Sequence, residues 1–304
     1  MTRVVEGISV MSKGEFEVPK CVACGGVGHP HLMLGSHRLY RCDECGNSFC
    51  HPVPGDEALA DYYRSYHLSA EEGGLYDVVD ARMQADFPAK LVMIQKLGPV
   101  GRLLDVGCGK GFFVDYCCRR GIDAAGIDLS ASAIEYAKLN LEGRYYCGVL
   151  EHAGERAEDL GGLFDTITMW ATIEHVSDPE SLLRAAVSRL KVGGMVHLDT
   201  GIGNDWMDRW LPGNVQWYDP PQHLFVFSER GLKRLCERVG FRVVRYTGCF
   251  ERTGIRWWMR VVRNGVATVL LAGLGCGLGL SRSMKGTTRF PMGNLQSISL
   301  QRMQ

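Results

Sequence analysis

The chain has 304 residues, 46% hydrophobic and 22% charged, the balance of a globular protein of one large or two modest domains. Lys plus Arg equals Asp plus Glu at 34 each, so no global field draws it to nucleic acid or anionic lipid. The opening MTRVVEGISVMSKGEFEVPK sustains no apolar core and does not read as a secretory signal; the twelve cysteines then read as thiols or metal ligands in a reducing compartment.

Beyond a tail of residues 1–20, the stretch CVACGGVGHPHLMLGSHRLYRCDECG sets Cys21 and Cys24, then a gap of 17 residues, then Cys42 and Cys45. Two Cys-x-x-Cys knuckles at this separation are the ribbon arrangement for tetrahedral Zn²⁺. Gly25 and Gly46 follow the knuckles and free the turn for backbone N–H groups to face the thiolates, while LYRC favours a strand returning the second pair to the first. Four thiolates leave no vacant position for water, so the expected metal is structural. The alternative is a ribbon of four thiols without metal. His29, His31 and His37 fall in the intervening loop, and Cys50 and His51 stand too close behind Cys45 to be needed.

A Pro/Gly linker, HPVPGDEAL, closes this ribbon domain of residues 21–56. ALADYYRSYH and DARMQADFPAKLVMIQKLG follow with helical spacing of apolar residues, giving a helical cap or linker over 57–100. From 101 to 250 strands alternate with helices. The expected strands are 102–107, 124–128, 144–149, 164–170, 194–200 and 241–247, and the expected helices 111–120, 130–140, 178–190 and 228–239. Such alternation implies an α/β fold, a parallel sheet covered on both faces with ligands at the carboxyl ends of its strands.

The first of those strands runs into LLDVGCGKGFF. Gly107, Gly109 and Gly111 form G-x-G-x-G around Cys108, and Phe112 stands where the dinucleotide fingerprint needs its last glycine. Asp128 ends the next strand about 20 residues on, where an acid accepts from ribose hydroxyls. Asp105 lies just ahead of the first glycine. A carboxylate there repels a diphosphate and suits a ligand that carries an ammonium and a sulfonium, which favours S-adenosylmethionine over NAD.

LLDVGCGKG, AAGIDLSASAIEYAK, FDTITMWATIEHVSDPESLLRAAVSRLKVGG and HLFVFSERGLKRLCERVGF together resemble the class I S-adenosylmethionine-dependent methyltransferases, in particular the ubiquinone-type O-methyltransferases, over about residues 100–250. The resemblance implies a Rossmann-like seven-stranded sheet with helices on both faces, here with a small N-terminal zinc ribbon. By analogy, Gly107–Gly111 approach the methionine part of the cofactor, Asp105 holds its amino group, Asp128 takes the ribose and Leu129 lines the adenine. Glu151 falls where the adenine amino group is read, and Trp170 beside the methyl-bearing end. Glu174 and His175 follow the fourth strand at the lip of the cleft. One reading has them tie this loop to a neighbouring helix, with Asp178-Pro179 starting the next one. The other makes His175 a general base near pH 7. His223 is a comparable candidate on the substrate side, and Asp219-Pro220-Pro221-Gln222 reads as a rigid turn.

Residues 265–280 are 16 uncharged, mostly apolar residues between arginines. That falls short of the ~20 that span a bilayer. Segment 251–290 therefore reads as a lid over the acceptor pocket or, with Trp257 and Trp258, as a membrane-interface contact through 257–285. Residues 291–304 hold the last strand, antiparallel as in the family. The function expected is methyl transfer, to oxygen, of a small-molecule or a lipid- or nucleotide-linked sugar acceptor, in the cytoplasm or peripherally at the inner face of the membrane. Two rivals are an RNA methyltransferase that grips RNA through the ribbon, against which the neutral charge argues, and a non-catalytic scaffold that keeps cofactor affinity. The oligomeric state has no signature.

Overall fold

The computed structural model describes residues 18–55, 58, 59, 61, 62, 75–152, 160–203, 217–248 and 295–304. The tail before residue 18, residues 63–74 between ribbon and core, and the apolar segment 251–290 lie outside the described residues.

The knuckles are turns around a small antiparallel sheet of β1 (Gly28–Leu34), β2 (His37–Cys42) and β3 (Ser48–Cys50). His29 and His31 therefore stand on a strand, not in a loop, and His29 meets exposed Asp43 at 3.2 Å. The fourth strand of this sheet comes from far along the chain: β9 (Phe225–Val226) pairs antiparallel with β3.

The main sheet has seven strands. Those named by the alternating pattern are β4 (Leu103–Val106), β5 (Ala124–Asp128), β6 (Arg144–Cys147), β7 (Phe164–Trp170), β8 (Leu190–Gly201) and β10 (Phe241–Thr247); β11 (Leu295–Arg302) is the closing strand. The order is β10-β11-β8-β7-β4-β5-β6, parallel from β8 to β6, with β11 antiparallel to both neighbours. Chain order reverses at β4, so the crevice above β4 and β7 is the switch point where such sheets bind ligands. Strand β8 starts at Leu190, earlier than the 194 expected, because Leu190 already pairs with Phe164; the register is then irregular, with Gly193 left-handed at φ 79°, and resumes at Thr166 opposite Met195.

Helices cover both faces. On one face α1 (Leu75–Leu97), α2 (Phe112–Cys118) and α3 (Ala131–Asn140) pack Phe87, Leu91, Ile94, Phe113, Cys117 and Ile134 against Leu103, Ala124 and Trp170. Phe87, Leu91 and Ile94 recur at helical spacing, which aims one stripe of α1 at α2. The other face carries α4 (Pro179–Arg189) and α5 (Glu229–Arg238), whose Leu182, Leu183, Leu232 and Leu235 share a core with Leu104, Ile167, Met169, Leu198 and the ribbon's Leu39 and Phe49. Asp178 caps α4 as its sequence suggests, accepting from Glu180 N and Ser181 N ahead of Pro179.

Candidate functional site

The glycine turn forms the floor of the crevice. Gly107 has φ 70°, and a Cβ there would lie 2.6 Å from Thr172; Gly109 has φ 52°, and nothing stands within 4 Å of its Cβ position. The first glycine is thus demanded by protein packing and the second faces open space, as an approach to a ligand requires. Cys108 packs on Gly126 of β5, and Gly111 caps α2 while its carbonyl accepts from Tyr145 Oη at 3.2 Å. Asp128 is half-buried; its Oδ2 accepts from Gly109 N and its Oδ1 from Ser130 N, each at 2.8 Å. These bonds fix the carboxylate at the rim of the turn, with lone pairs left for hydroxyls. Leu129 is half-buried beside it.

Asp105 is buried beneath the turn and accepts from Thr168 Oγ1 at 2.6 Å. Burial pushes its carboxyl up to about 7, against the opposing pull of Thr168 and Lys90. Register continues this polar row across the sheet: Thr168 stands opposite His197, and His197 opposite Ser299, whose hydroxyl is 2.9 Å from His197 Nδ1. Trp170 is buried edge-on to Phe113 at 5.5 Å. Lys90 of α1 lies 4.1 Å from the centre of the Trp170 ring and 3.1 Å from Asp199 Oδ2. The sequence reading missed Lys90, since a lone cation on an amphipathic helix carries no motif. Glu151 lies on a 3₁₀ turn, Leu150–His152, and lines a shallow groove with Ser181, Arg184 and Arg189 of α4.

The second group stands at the end of β7. Ala171 adopts φ 52°, left-handed and unfavourable for a residue with a Cβ, and its N–H donates to Asp199 Oδ1 at 2.9 Å. This kink turns the chain so that Glu174 and His175 face the segment 217–224. His175 and His223, far apart in sequence, have ring centres 4.8 Å apart, and Trp217 lies 5.6 Å from His223. His175 does tie its loop down, but to that segment and not to a helix: Nδ1 donates to Gln222 O at 2.7 Å. The carbonyl acceptor places the proton on Nδ1 and the lone pair on Nε2. Burial, and then the neighbouring His223, push the imidazole down to about 3, so it is neutral at pH 7.

Glu174 anchors the loop only through its backbone, whose carbonyl accepts from Leu224 N at 2.9 Å. Its side chain is 2% exposed, and neither carboxyl oxygen has a hydrogen-bond partner among the described residues. Thr200 lies close enough to favour the charged form slightly without closing a hydrogen bond, and burial wins, pushing the carboxyl up to about 8. Thr200 Oγ1 and Trp217 Nε1 are likewise buried without a hydrogen-bond partner among the described residues. Buried polar atoms are nearly always satisfied, so the carboxyl of Glu174, Thr200 Oγ1 and Trp217 Nε1 stand out together among the described residues. Glu174, His175 and His223 also present ligand atoms within 4.8 Å of one another, close enough for one cation.

In the ribbon, Cys21, Cys24, Cys42 and Cys45 present four sulfurs within 4.8 Å of one another, with Cys21–Cys45 at 3.5 Å and Cys24–Cys42 at 3.4 Å. Tetrahedral Zn²⁺ with about 2.3 Å bonds sets sulfurs about 3.8 Å apart, whereas a disulfide needs about 2 Å. Backbone N–H groups of Ala23, Cys24, Gly26 and Asn47 face the sulfurs. The donor set fits a tetrahedral thiolate metal.

Residues 72–246 match the family described as "Methyltransferase domain". The ubiquinone biosynthesis O-methyltransferase of Acinetobacter baylyi is 30% identical over 150 residues, 43% of this chain and 63% of that protein. Its namesake from Ralstonia nicotianae is 38% identical over 117 residues, 37% of this chain and 49% of that one. The chain thus spans only half to three-fifths of the length of these curated relatives. Among solved structures, the [4+2]-cyclase SpnF superposes with TM-score 0.54 at 16% identity, covering 83% of this chain and 98% of that one. Magnesium protoporphyrin IX methyltransferase (ChlM) from Synechocystis PCC 6803 with bound SAH gives TM-score 0.52 at 13% identity, covering 80% and 98%. These two superpositions show the fold alone, and a cyclase among them is a reminder that one fold hosts several chemistries.

Proposed function

The chain belongs to the S-adenosylmethionine-dependent methyltransferases that carry this domain over residues 72–246, and from that premise we propose that it methylates oxygen on a small-molecule or a lipid- or nucleotide-linked sugar acceptor. The observation that carries the reading is the buried, unpaired carboxyl of Glu174 beside His175 and His223, next to the crevice of the glycine turn.

When bound, S-adenosylmethionine supplies an electrophilic methyl group on a sulfonium. The chain holds it from several sides. Asp128 accepts from the ribose hydroxyls, Leu129 packs on the adenine, and the open backbone at Gly109 lets the methionine part approach. Asp105 would take the ammonium and Lys90, beside Trp170, the carboxylate of that part, while Trp170 would wall the methyl-bearing end. The ring of Trp170 and the α1 stripe exclude water, so alignment supplies most of the acceleration.

On the acceptor side, Glu174 and the Nε2 lone pair of His175 would receive a hydroxyl. With S-adenosylmethionine supplying the methyl group, the C–S bond giving way to O–CH₃, the carboxylate of Glu174 would take the hydroxyl proton, its affinity near neutral pH suiting a general base better than that of buried His175. His175 and His223 orient the acceptor. The ribbon holds structural Zn²⁺ and takes no part in the transfer.

Incubation with methyl-labelled S-adenosylmethionine and fractionated cell extract tests the reading. Label in a small-molecule, glycolipid or nucleotide-sugar fraction, alkali-stable as an ether, is the expected result. Label in RNA, or product release without any labelled acceptor, would overturn it.

A further inference from the structure

The ribbon is joined to the wall that carries His223. Phe49 of β3 pairs with Phe225 and Ser48 with Val226, and Cys50 N donates to Leu224 O at 2.8 Å, so the pairing reaches the residue next to His223. The other edge of the same short segment faces the site: Leu224 N donates to Glu174 O, and Gln222 O accepts from His175 Nδ1. Residues 222–226 are therefore held between the ribbon and the Glu174–His175 loop.

Asn47 links that segment to the metal knuckle. Its backbone N–H faces the sulfur of Cys45, and its carbonyl accepts from Cys42 N at 2.9 Å. Its side-chain Oδ1 accepts from Ser228 N, also at 2.9 Å, at the cap of α5, and Ser228 Oγ donates to Cys45 O. Asn47 is 2% exposed, and a Cβ on Gly231 would fall 1.8 Å from its Oδ1, so the first turn of α5 is built around this one side chain. A second brace joins Arg41 and Ser48 to the hydroxyl of Tyr218, at 2.7 and 3.0 Å, beside Trp217.

The glycine turn has none of these ribbon contacts, and it meets the Glu174–His175 loop through Thr172, which packs on Gly107 and whose carbonyl accepts from His175 N. Gly107 N is held by Ile127 O and Gly109 N by Asp128, in the part of the sheet that faces α1, α2 and α3.

We propose that Asn47 is a positioning residue: through Ser228 and β9 it transmits the geometry of the cysteine site to His223 and His175, so that metal occupancy governs the acceptor wall and leaves the cofactor turn alone. The inference rests on the reading that this histidine cluster receives the acceptor. Two partners that share a buried hydrogen-bond network couple, whereas distant groups without shared partners act independently.

The experiment uses the full chain loaded with zinc and labelled with ¹⁵N-histidine, with S-adenosylhomocysteine as the binding probe. In Asn47→Ala the ring resonances of His175 and His223 should move, those of His197 should stay, zinc content should hold, and the probe's Kd should change by no more than about twofold. Removing zinc from the wild type should displace the same two histidines. If Asn47→Ala does not fold, Tyr218→Phe and the zinc-stripped wild type carry the test. His175 and His223 resonances unchanged in these samples would overturn the proposal. Failure of the wild type to bind S-adenosylhomocysteine would instead strike the functional reading.

Discussion

The two sides of the crevice are built by opposite strategies. The side proposed for the cofactor is largely continuous: β4, the glycine turn, α2, β5 and Asp128 all fall between residues 103 and 128, and the backbone N–H groups of Gly107, Gly109 and Gly111 all donate within that run. The acceptor side is a mosaic of a kinked loop after β7, the segment 217–224, the end of β8 and a strand pair with the ribbon. A ligand common to a whole family can be held by a transferable local motif. A particular acceptor needs walls brought from distant parts of the chain, which vary without disturbing that motif.

The largest expected effect separates the two sides by function. Glu174→Gln keeps shape and removes the proton acceptor, so methyl transfer should fall by about 10²–10⁴-fold while S-adenosylhomocysteine binding stays as in the wild type. Equal loss of binding and transfer, measured by calorimetry beside a labelled-methyl assay, would dissolve the distinction.

Within the cofactor side, two glycines sharpen it further. Gly107→Ala must place a methyl 2.6 Å from Thr172 at φ 70°, and urea unfolding should register a loss of about 3 kcal/mol. Gly109→Ala meets no atom within 4 Å, so its stability should drop by only about 1 kcal/mol, from the left-handed backbone, while cofactor binding collapses. Identical stability losses would mean that the open space at Gly109 is not a ligand's.

His197 lies on the polar row between the sides and titrates in the fold at about 4, lowered by burial. Its folded pKa is below the unfolded value, so the unfolded chain binds more protons and stability rises with pH between about 4 and 6.5. The contribution is complete above that window and lost below it, and amounts to about 3 kcal/mol. Asp105 and Glu174, raised by burial, tilt the wild-type curve the other way, so the wild type minus His197→Asn difference is the quantity to measure. A difference flat from pH 4 to 6.5 would contradict the buried neutral imidazole.

Smallest is Ala171→Gly, which relieves the left-handed kink on which the acceptor side turns and should add about 0.5–1 kcal/mol of stability. A loss would show that the kink is not strained.

The same contrast explains what could be read in advance. The strands at 124–128, 164–170 and 241–247 coincide with β5, β7 and β10, since β-branched and aromatic residues recur through β7 and β10 and a helix adjoins each of the three. Glycine spacing and the acid that ends β5 also sufficed to anticipate the strand, turn and helix over 103–128, because that geometry is local. His175 and His223 stand in the sequence as two separate candidates, and their contact has no local signal; the segment of His223 leads into β9, a two-residue strand too short to leave a period. Lys90 carries no motif, and Glu174 reads in the sequence as a loop tie or a residue beside a base. Lys90 is largely and Glu174 fully buried, and burial of a single charged residue has no sequence signature. Strand β8 begins early for a similar reason, since the pairing of Leu190 with Phe164 is a tertiary contact that no local preference announces.

Calorimetric titration of S-adenosylhomocysteine and, separately, NAD into the wild type and Asp128→Ala is the most direct test of the cofactor assignment. The thioether compound should bind the wild type, lose about a hundredfold in affinity with the two ribose hydrogen bonds in the variant, and NAD should not bind. Binding of NAD in place of the thioether compound, or equal affinity in both proteins, would contradict it.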